Sequence, residues 1–555
     1  MSDPAFQLLG EPDEWTLSRV LRRRAARHGD RLFVRFGDGV ELSFAGYDAQ
    51  CDRLARALRA AGLQAGDRVM CMLRNRAEFL VLAIACGRAG AVFVPVNTEL
   101  KGFSLQHQLH NCGPRMLVLE ADLVAHFDGV PAPPALPSHV VVIGDSPARL
   151  PGALGSNGPL SFESLCALAD DAVALHEPAA HELGCIMYTS GTTGPAKGVL
   201  MPHAHLALFA VPSPGLALAE GDTYYVCMPL FHANALFVQV LAALVSGAQV
   251  HCVQRFSPNR WLAEIRACGA TITNSLGIMT EMLFKSPTSA DDADSSLTRV
   301  LAVPVADWIG DFGRRFGVRV FQGYGMTECN MPVYATESDP CVPGCCGTIR
   351  SELFEVAILD PESDLRLPDG QTGEVCVRPR IANAFMQGYF EMPGKTVEAV
   401  RNLWFHTGDA GRVEGGSRLF FADRIKDRIR RRGENVSAFE IEQVLGMLPG
   451  VAESAVVGIH VGDAGAEQEI KACIVLVPGA QLTHAQLLGH CIANVPRFAV
   501  PRFFEFIPEL PRTPSNKVQK HLLRSAGAGP GCWDREAEGH SARDEPKPAT
   551  QVAAA

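Results

Sequence analysis

The sequence has little of what marks an exported protein or a membrane protein. Its start, Met1-Ser2-Asp3-Pro4, has no basic segment followed by an apolar core, so it predicts no signal peptide. The longest apolar run, from Ala235 to Ala248, is shorter than the roughly 20 residues that a membrane-spanning helix needs. We therefore expect a cytoplasmic protein without a membrane span, in which this run forms a buried helix.

Two further absences narrow the class of protein. The 17 cysteines are scattered, without paired Cys-x-x-Cys spacing, which predicts free thiols in a reducing compartment. Positive charge is not in excess, because the formal net charge is −10. A net negative protein has no overall electrostatic field that attracts nucleic acid, so we expect no nucleic-acid partner. An anionic ligand must instead be held by local clusters of cations.

Length and patterning indicate several domains of mixed α/β structure. A chain of 555 residues, 47% hydrophobic and 20% charged, exceeds what one hydrophobic core usually serves. In the first part of the chain, strand patterns alternate with helix patterns, which predicts parallel sheets covered by helices. Residues 340–422 predict a small β-rich subdomain, and residues 427–524 a compact α+β domain. The last segment, 525–555, is rich in Ala, Gly and Pro without periodicity, and it predicts a disordered tail.

One stretch rich in hydrogen-bond donors follows an apolar run that ends at Met187. It combines hydroxyls, glycines and a lysine: Thr189, Ser190, Gly191, Thr192, Thr193, Gly194 and Lys197. Glycines let the backbone approach an anion, to which the N–H groups, hydroxyls and lysine donate hydrogen bonds. A polar surface turn would explain the glycines but not so many donors, so the stretch predicts a polyphosphate site. It is not a Walker A loop, because Ala196 and Gly198 stand where that loop needs Gly and Ser or Thr.

Four later motifs add nucleotide-binding chemistry, although each is weak when taken alone. The stretch from Gly323 to Glu328 follows a strand and offers an aromatic ring, a hydroxyl and a carboxylate suited to Mg²⁺. The stretch from Trp404 to Asp409 offers a carboxylate after a tight turn. The basic run from Asp423 to Asn435 favours binding of a second anionic ligand. The loop from Pro511 to Lys520 carries lysines beside prolines.

In order and spacing, the five motifs resemble the core motifs of the adenylate-forming family, which includes acyl-CoA synthetases, peptide-synthetase adenylation domains and luciferases. The resemblance covers residues 14–524. Asp423-Arg424-Ile425-Lys426-Asp427, followed by Gly433-Glu434-Asn435, is more similar to acyl-CoA synthetases than to amino-acid adenylation domains. The region from Thr271 to Arg319 resembles the carnitine/crotonobetaine-CoA ligase branch.

The resemblance implies a carboxylic acid–CoA ligase that forms AMP. Its cofactors would be ATP, Mg²⁺ and coenzyme A, and its partner a small-molecule carboxylic acid. The implied architecture is a large α/β N-terminal domain over residues 1–423, a hinge at 424–426 and a mobile lid over 427–524. A stand-alone adenylation enzyme that loads a carrier protein and a non-catalytic nucleotide-binding protein stay as alternatives. A homodimer is left open.

Residues that match the family's motifs are implied to hold ATP. Thr189 to Lys197 would cradle the β- and γ-phosphates. Tyr324 would stack on adenine, Thr327 would hold the α-phosphate and Glu328 would ligate Mg²⁺. Lys517 would bridge the substrate carboxylate and the α-phosphate.

Further positions are implied to bind ribose, coenzyme A and the acid. Asp409 and Arg424 would bind the ribose hydroxyls, and Lys426 would be the hinge about which the lid rotates. Arg428 to Arg432, with Gly433-Glu434, would face coenzyme A. The implied acyl pocket has the walls His232, Asn234, Leu236, Ser275, Gly277, Val303, Gly323 and Met331. The candidates for an aromatic cage around a quaternary ammonium, each of which also fits ordinary core packing, are Phe231, Phe237, Trp308 and Tyr334.

Overall fold

The computed structural model describes residues 4–100, 102–145, 149–155, 158–189, 196–424, 429–431, 434–436, 438–461, 468–495, 499–513 and 518–540. The chain divides into two compact units. The large unit comprises Met1–Ala357, Cys376–His406 and Val413–Phe420, and the small unit comprises Ile358–Val375, Thr407–Arg412 and Phe421–Ala555.

The α-helices are short to medium in length and lie in both units. They are α1 Pro4–Leu9, α2 Leu17–His28, α3 Phe44–Ala60, α4 Ala77–Ala89, α5 Gly102–Cys112, α6 Phe162–Cys166, α7 His203–Phe209, α8 Ala242–Ser246, α9 Trp261–Cys268, α10 Gly277–Phe284, α11 Ile309–Phe316, α12 Pro393–Ala399, α13 Ala438–Gly446, α14 His484–Asn494 and α15 Lys520–Ser525. Side-chain caps fix several helix starts. The Thr16 hydroxyl accepts a hydrogen bond from the Arg19 N–H at the start of α2, and Thr483 with Gln486 forms a capping box on α14.

The strands are β1 Leu32–Phe36, β2 Glu41–Ser43, β3 Arg68–Met72, β4 Val92–Pro95, β5 Met116–Glu120, β6 His139–Ile143, β7 Leu160–Ser161, β8 Leu183–Thr189, β9 Lys197–Pro202, β10 Thr223–Val226, β11 Gln249–Cys252, β12 Ile272–Leu276, β13 Arg299–Val303, β14 Arg319–Phe321, β15 Gly323–Met326, β16 Asn330–Tyr334, β17 Cys345–Ile349, β18 Phe354–Leu359, β19 Gly373–Pro379, β20 Gly388–Tyr389, β21 Phe405–Glu414, β22 Arg418–Arg424, β23 Ile429–Arg431, β24 Glu434–Val436, β25 Val451–Ile459, β26 Glu469–Leu476, β27 Phe503–Phe506 and β28 Trp533–Asp534.

Two sheets of the large unit confirm the predicted parallel α/β architecture. One has the order β20-β9-β8-β4-β3-β5-β6-β7, and the other the order β14-β13-β12-β10-β11-β1-β2. The central strands pair in parallel, for example β3 with β4 and β5, and β12 with β10 and β13. Helices connect these strands, as parallel pairing requires. Loops that follow neighbouring strands therefore meet at one edge of each sheet.

The long apolar run is buried, as the sequence predicts, but its first part is not an α-helix. Residues Asn234–Leu241 form a π-helix that continues into α8. Every residue from Ala235 to Leu241 is buried. Among the described residues, none of the helices combines the length and apolar character that crossing a bilayer requires.

Strands of two to ten residues make up most of the region that the sequence assigns to a β-rich subdomain. In the large unit, β15, β16, β17 and the start of β22 pair antiparallel in that order. Strands β18, β19 and β21 contribute residues to both units. The α-helix α12 also lies in this region. The two-residue strand β20 does not join the other strands of the region but pairs with β9 of another sheet.

The small unit is built on the sheet β25-β26-β27-β28, against which α13 and α14 pack. The last strand of this sheet lies in the segment that the sequence assigns to a disordered tail, and α15 ends inside that segment, so this expectation is wrong for residues 525–540. Trp533 stacks on His484, and Asp534 forms an ion pair with Arg502 at 2.8 Å. The composition of the tail gives no sign of these contacts, because they depend on partners in other elements of the small unit.

All 17 cysteines lie within the described residues, and none of them forms a disulfide. The prediction of free thiols is therefore confirmed. Most of the thiols are buried, including Cys71, Cys185 and Cys252.

Candidate functional site

The donor-rich stretch closes a β-hairpin of the large unit. Strand β8 ends at Thr189 and β9 begins at Lys197, and these two residues are register partners. The predicted buried strand before the stretch is confirmed, because β8 is largely buried and ends at Thr189. The residues from Ser190 to Pro195 lie outside the described residues.

Helix α5 braces both ends of this hairpin. The Tyr188 hydroxyl donates to Asn111 Oδ1 at 2.7 Å, just before the stretch begins. His107 Nε2 lies 2.8 Å from the carbonyl oxygen of Ala196, just before Lys197. Because a carbonyl oxygen only accepts, His107 carries its proton on Nε2. Two side chains on one helix therefore hold both described ends of the hairpin.

Glu328 lies beside the start of the donor-rich stretch. Its side chain is almost fully buried, with 4% of the residue exposed. The Thr189 hydroxyl donates to Glu328 Oε1 at 3.4 Å, and the Tyr389 hydroxyl donates to the same oxygen at 3.1 Å. Two of the predicted motifs, far apart in the sequence, are thus brought together. Glu328 Oε2 has no hydrogen-bond partner among the described residues, so it is the oxygen open to a cation.

Tyr389 connects the two motifs, and sequence analysis missed it. Its ring centre lies 4.1 Å from Lys197 Nζ, and its hydroxyl reaches Glu328. Pairing of β20 with β9 sets this position, because Tyr389 is the register partner of Val199. Burial, and then the adjacent Glu328 carboxylate, raise the pKa of Tyr389, so the hydroxyl stays a neutral donor. The only sequence signal is a Gly-Tyr pair within a two-residue strand, which periodicity does not detect.

The turn that carries Thr327 is fixed by a buried histidine. His205 is completely buried, and its Nε2–H donates to the carbonyl oxygen of Thr327 at 3.0 Å. The side-chain amide of Asn330 donates to the carbonyl oxygen of His205 at 3.0 Å. Burial lowers the pKa of His205 to about 4, so the ring is neutral near pH 7. These contacts hold the end of the β15–β16 hairpin, and with it Thr327 and Glu328.

Tyr324 lies on β15, the strand that leads into this turn. It is the register partner of Val333, and 7% of the residue is exposed. Gly325 follows it where no side chain fits, because a Cβ there would come within 2.3 Å of the carbonyl oxygen of Asn330. The Gly-Tyr-Gly spacing of the motif therefore has a steric cause at its second glycine.

His232 lies in the loop after β10. The residue is exposed to solvent, although protein surrounds its ring and lowers its pKa to about 4 by desolvation. His232 therefore combines a solvent-accessible edge with a ring that is neutral near pH 7. The buried side chain of Asn75 holds this loop, since its amide donates to the carbonyl oxygen of Met228 and its Oδ1 accepts from Leu230 N–H.

The four aromatic candidates for a cage do not share one neighbour. Phe231 packs on His232, Phe237 on Phe209, Trp308 on Phe284, and Tyr334 against the Arg350 guanidinium. Each ring is therefore engaged in its own local packing within the described part of the chain.

Asp409 lies in the small unit, inside a strand rather than after a tight turn. Strand β21 runs from Phe405 to Glu414, and Gly408 within it has a φ of 72°. The Gly408 N–H donates to Glu374 Oε1 at 3.0 Å, and the Asp409 N–H donates to the Thr407 hydroxyl at 3.1 Å. The predicted turn is therefore a local irregularity of a long strand, and 5% of Asp409 is exposed.

Several predicted residues lie beyond what the structure describes. Lys426, Gly433 and Lys517 lie outside the described residues. Arg424 is the last residue of β22 and Glu434 the first of β24, and of both only the backbone is described.

One residue of the basic run does not fit the predicted role at coenzyme A. The Arg431 side chain is 2% exposed, and its guanidinium lies 2.8 Å from Glu469. It also donates to the carbonyl oxygen of Val500 at 3.0 Å. Because a carboxylate of the small unit already neutralises this guanidinium in the interior, Arg431 stabilises that unit instead of binding an external phosphate.

The large-unit cluster has the chemistry of a phosphate and cation site. Lys197 supplies positive charge, Thr189 a hydroxyl, and Glu328 a carboxylate with one oxygen open to a hard cation such as Mg²⁺. Tyr389 holds the cationic and the anionic side chain next to each other. Such a set can bind a triphosphate and its divalent cation together.

Comparisons with known proteins agree with this chemistry. The sequence profile of the family described as AMP-binding enzyme matches residues 21–390, and that of the AMP-binding enzyme C-terminal domain matches residues 440–517. The crotonobetaine/carnitine–CoA ligase of Salmonella arizonae is 30% identical over 502 residues, which cover 88% of this chain and 94% of the ligase.

Solved structures give the same result. ATP-bound MatB from Rhodopseudomonas palustris is 28% identical, with a TM-score of 0.77 over 92% of this chain and 99% of MatB. The O-succinylbenzoate coenzyme A synthetase MenE from Bacillus subtilis, in complex with AMP, is 25% identical, with a TM-score of 0.76 over 92% of this chain and 98% of MenE.

Proposed function

This chain belongs to the family of AMP-binding enzymes, and on that basis we propose that it is an acyl-CoA synthetase. It would join a small-molecule carboxylic acid to coenzyme A, with ATP as the second substrate and AMP and pyrophosphate as products. Two of the relatives named above, the crotonobetaine/carnitine–CoA ligase and the O-succinylbenzoate coenzyme A synthetase, join an acid to coenzyme A. The observation that carries the proposal is one cluster in the large unit: Thr189 and Tyr389 both donate to the Glu328 carboxylate, and the Tyr389 ring contacts Lys197.

The hairpin stretch and its neighbours would bind the triphosphate. Lys197 and the loop N–H groups would hold the β- and γ-phosphates, and the Thr189 hydroxyl would donate to one of their oxygens. Glu328 would hold Mg²⁺ through Oε2, where the ion would neutralise charge that develops on the phosphates. Tyr324 would stack on adenine, and Thr327 would donate to the α-phosphate.

The first half-reaction joins two anions, and cationic groups must therefore offset their repulsion. The substrate carboxylate attacks the α-phosphorus of ATP, the bond to the bridging oxygen breaks, and pyrophosphate leaves with its electron pair. Lys517 would bridge the carboxylate and the α-phosphate during this step. The neutral ring of His232 would line the recess that receives the acid.

In the second half-reaction, the thiol of coenzyme A attacks the acyl carbon of the adenylate. The thioester forms, the acyl–phosphate bond breaks, and AMP leaves. Lys426 would be the hinge that exchanges Lys517 for the thiol between the two steps. Asp409 and Arg424 would bind the ribose, and Gly433-Glu434 would contact coenzyme A. The free cysteines fit a reducing compartment such as the cytoplasm.

A quaternary-ammonium acid such as carnitine is not the substrate that we propose for this chain. A quaternary ammonium is best held by several aromatic faces that converge on it. The candidate rings Phe231, Phe237, Trp308 and Tyr334 each pack against a different neighbour. We therefore propose a small organic acid whose identity is set by other groups in the recess.

The proposal is tested with a panel of acids of graded size and polarity. Each acid is incubated with ATP, Mg²⁺ and coenzyme A, while AMP release and the thioester are measured. We expect AMP release that requires both an acid and coenzyme A. A second assay measures acid-dependent exchange of pyrophosphate into ATP. Exchange without thioester formation would instead favour an enzyme that loads a carrier protein. Silence in both assays over the whole panel would favour a non-catalytic nucleotide-binding protein.

A further inference from the structure

The His232 loop, which would line the proposed recess for the acid, lies at the same sheet edge as the Tyr324 hairpin. Strands β12, β13 and β14 are parallel neighbours, with Ser275 opposite Ala302 and Leu301 opposite Phe321. The Tyr324 hairpin follows β14 directly, and the His232 loop follows β10, the other neighbour of β12. Groups presented at the ends of these strands therefore face the edge where an open α/β sheet binds its ligands.

A buried polar network reaches this edge and ends on one asparagine. The Tyr224 hydroxyl donates to Asn274 Oδ1 at 2.5 Å, and Asn274 Nδ2 donates to Asn234 Oδ1 at 2.8 Å. From the other side, Gln239 Nε2 donates to the same Asn234 oxygen at 2.9 Å. Asn234 and Gln239 are five residues apart on the π-helix, whose i to i+5 spacing brings such positions together.

This network fixes the orientation of the Asn234 amide. Its oxygen has two lone pairs, and both accept a hydrogen bond from the interior. The amide is planar, so its NH₂ group points away from those donors. Asn234 is only partly buried, and its Nδ2 has no hydrogen-bond partner within the described ranges. Two donor hydrogens are therefore presented from a rigid position two residues after His232.

Packing of the core alone does not explain why a glutamine stands at position 239. Gln239 is completely buried, yet its Oε1 has no hydrogen-bond partner in the described part of the chain. A buried acceptor left unpaired costs free energy that an apolar side chain of similar size would avoid. What the glutamine does provide is a second interior donor to Asn234, which keeps the amide from rotating.

We propose that the acid activated by this protein carries a hydrogen-bond acceptor on its acyl chain, and that the Asn234 amide recognises it. The acceptor would be a hydroxyl, a carbonyl or a second carboxylate. This inference rests on the proposed function, because it assigns the recess of the same site to the acyl group. A site that offers a fixed donor disfavours an analogue without the acceptor, since the donor is then desolvated without a partner.

The test compares matched acids on the wild-type protein. Butanoate, pentanoate and hexanoate are each measured against their hydroxy, oxo and ω-carboxy analogues, with kcat/KM for thioester formation as the readout. We expect at least one acceptor-bearing acid to exceed its plain alkyl partner by about 10- to 100-fold. Equal or better rates with every alkyl acid would overturn the inference.

Two variants of Asn234 assign the preference to this side chain. Asn234→Leu removes the donor, so the preference for the acceptor-bearing acid should fall by about 10- to 100-fold. Asn234→Asp keeps the shape and still accepts from Gln239 and Asn274, but it turns a second acceptor toward the recess. That variant should disfavour the same acid and favour an amino-substituted one. A preference that survives in both variants would overturn the assignment.

Controls separate this outcome from misfolding and from failure of the proposed function. Asn494→Leu, an exposed asparagine on α14, should leave the preference unchanged. ATP affinity and melting temperature of the Asn234 variants report whether the fold is retained, and Asn234→Asp serves if the leucine variant does not fold. If no acid yields a thioester, the proposed function fails. If thioesters form without any preference, only this inference fails.

Discussion

The Tyr389 hydroxyl lies 3.1 Å from the Glu328 carboxylate, and this contact joins two segments that are distant in the sequence. The same ring lies 4.1 Å from Lys197 Nζ. A cation over an aromatic face and a hydrogen bond from the ring's hydroxyl are both directional contacts. Tyr389 is therefore placed to keep the distance between Lys197 and Glu328, the proposed Mg²⁺ ligand, constant.

Tyr389→Phe is expected to raise the Mg²⁺ concentration needed for half-maximal activity. The variant keeps the ring under Lys197 but removes the hydrogen bond to Glu328, which is worth about 1.5–3 kcal/mol because the acceptor is charged. The measurement is the ATP–pyrophosphate exchange rate as a function of Mg²⁺. Tyr389→Leu, which also removes the aromatic face, should weaken ATP binding further. An unchanged Mg²⁺ dependence in the phenylalanine variant would show that Tyr389 only packs.

Acid should destabilise the large unit through its buried histidines. Burial lowers the pKa of His205 from 6.5 to about 4, and that of His203 likewise to about 4. As the pH falls from 6.5 to 4, the unfolded chain binds protons at these rings before the folded chain does. Stability is therefore unaffected above pH 6.5 and is lost below it, by about 3 kcal/mol for each ring at the lower limit.

His205→Gln separates this contribution from general acid sensitivity. The glutamine amide can still donate to the Thr327 carbonyl oxygen but does not titrate. Denaturant unfolding at pH 7.5 and pH 5 should show a smaller loss of stability in this variant than in the wild type. His181→Gln, at an exposed position of the same unit, should keep the wild-type loss. Equal losses in all three proteins would exclude His205 as a source of the acid sensitivity.

Truncation should show that the segment after Ser525 belongs to the small unit. Removing residues 525–555 deletes Trp533, which packs on Phe504 and His484, and Asp534, which pairs with Arg502. We expect the free energy of unfolding of this unit to fall by about 2–3 kcal/mol, mainly from exposure of the apolar surface around the indole. Removing only residues 541–555 is the matched control and should leave stability unchanged. Equal stability of both truncated proteins would contradict the role of β28.

The sequence predicts those parts of the site that depend on local pattern. The strand that ends at Thr189 and the motif around Glu328 follow from apolar runs and glycine spacing, and the structure has both. Tyr389 was missed because β20 is two residues long and pairs with a strand much earlier in the chain. Such long-range pairing leaves no periodic trace in a single sequence.

Two errors have the same physical origin. The basic run predicts that Arg431 faces coenzyme A, but Glu469 of the small unit pairs with it in the interior. The composition of the segment from Ser525 predicts disorder, although Trp533 and Asp534 have partners on other elements. A sequence lists charges and apolar side chains without their tertiary partners, and those partners decide whether a residue is available to a ligand.

The central claim is that the protein forms an acyl-adenylate with the help of Lys517, and one comparison tests it most directly. The Lys517→Ala variant is assayed for acid-dependent ATP–pyrophosphate exchange, and separately for thioester formation from preformed acyl-adenylate and coenzyme A. Lys520→Ala, whose side chain pairs with Glu442 at 2.9 Å, is the matched control in the same segment. We predict that Lys517→Ala lowers exchange by about 10²–10³-fold, because one charge-stabilising donor is lost, while the second step stays near the wild-type rate. Wild-type exchange in the Lys517→Ala variant would contradict the account.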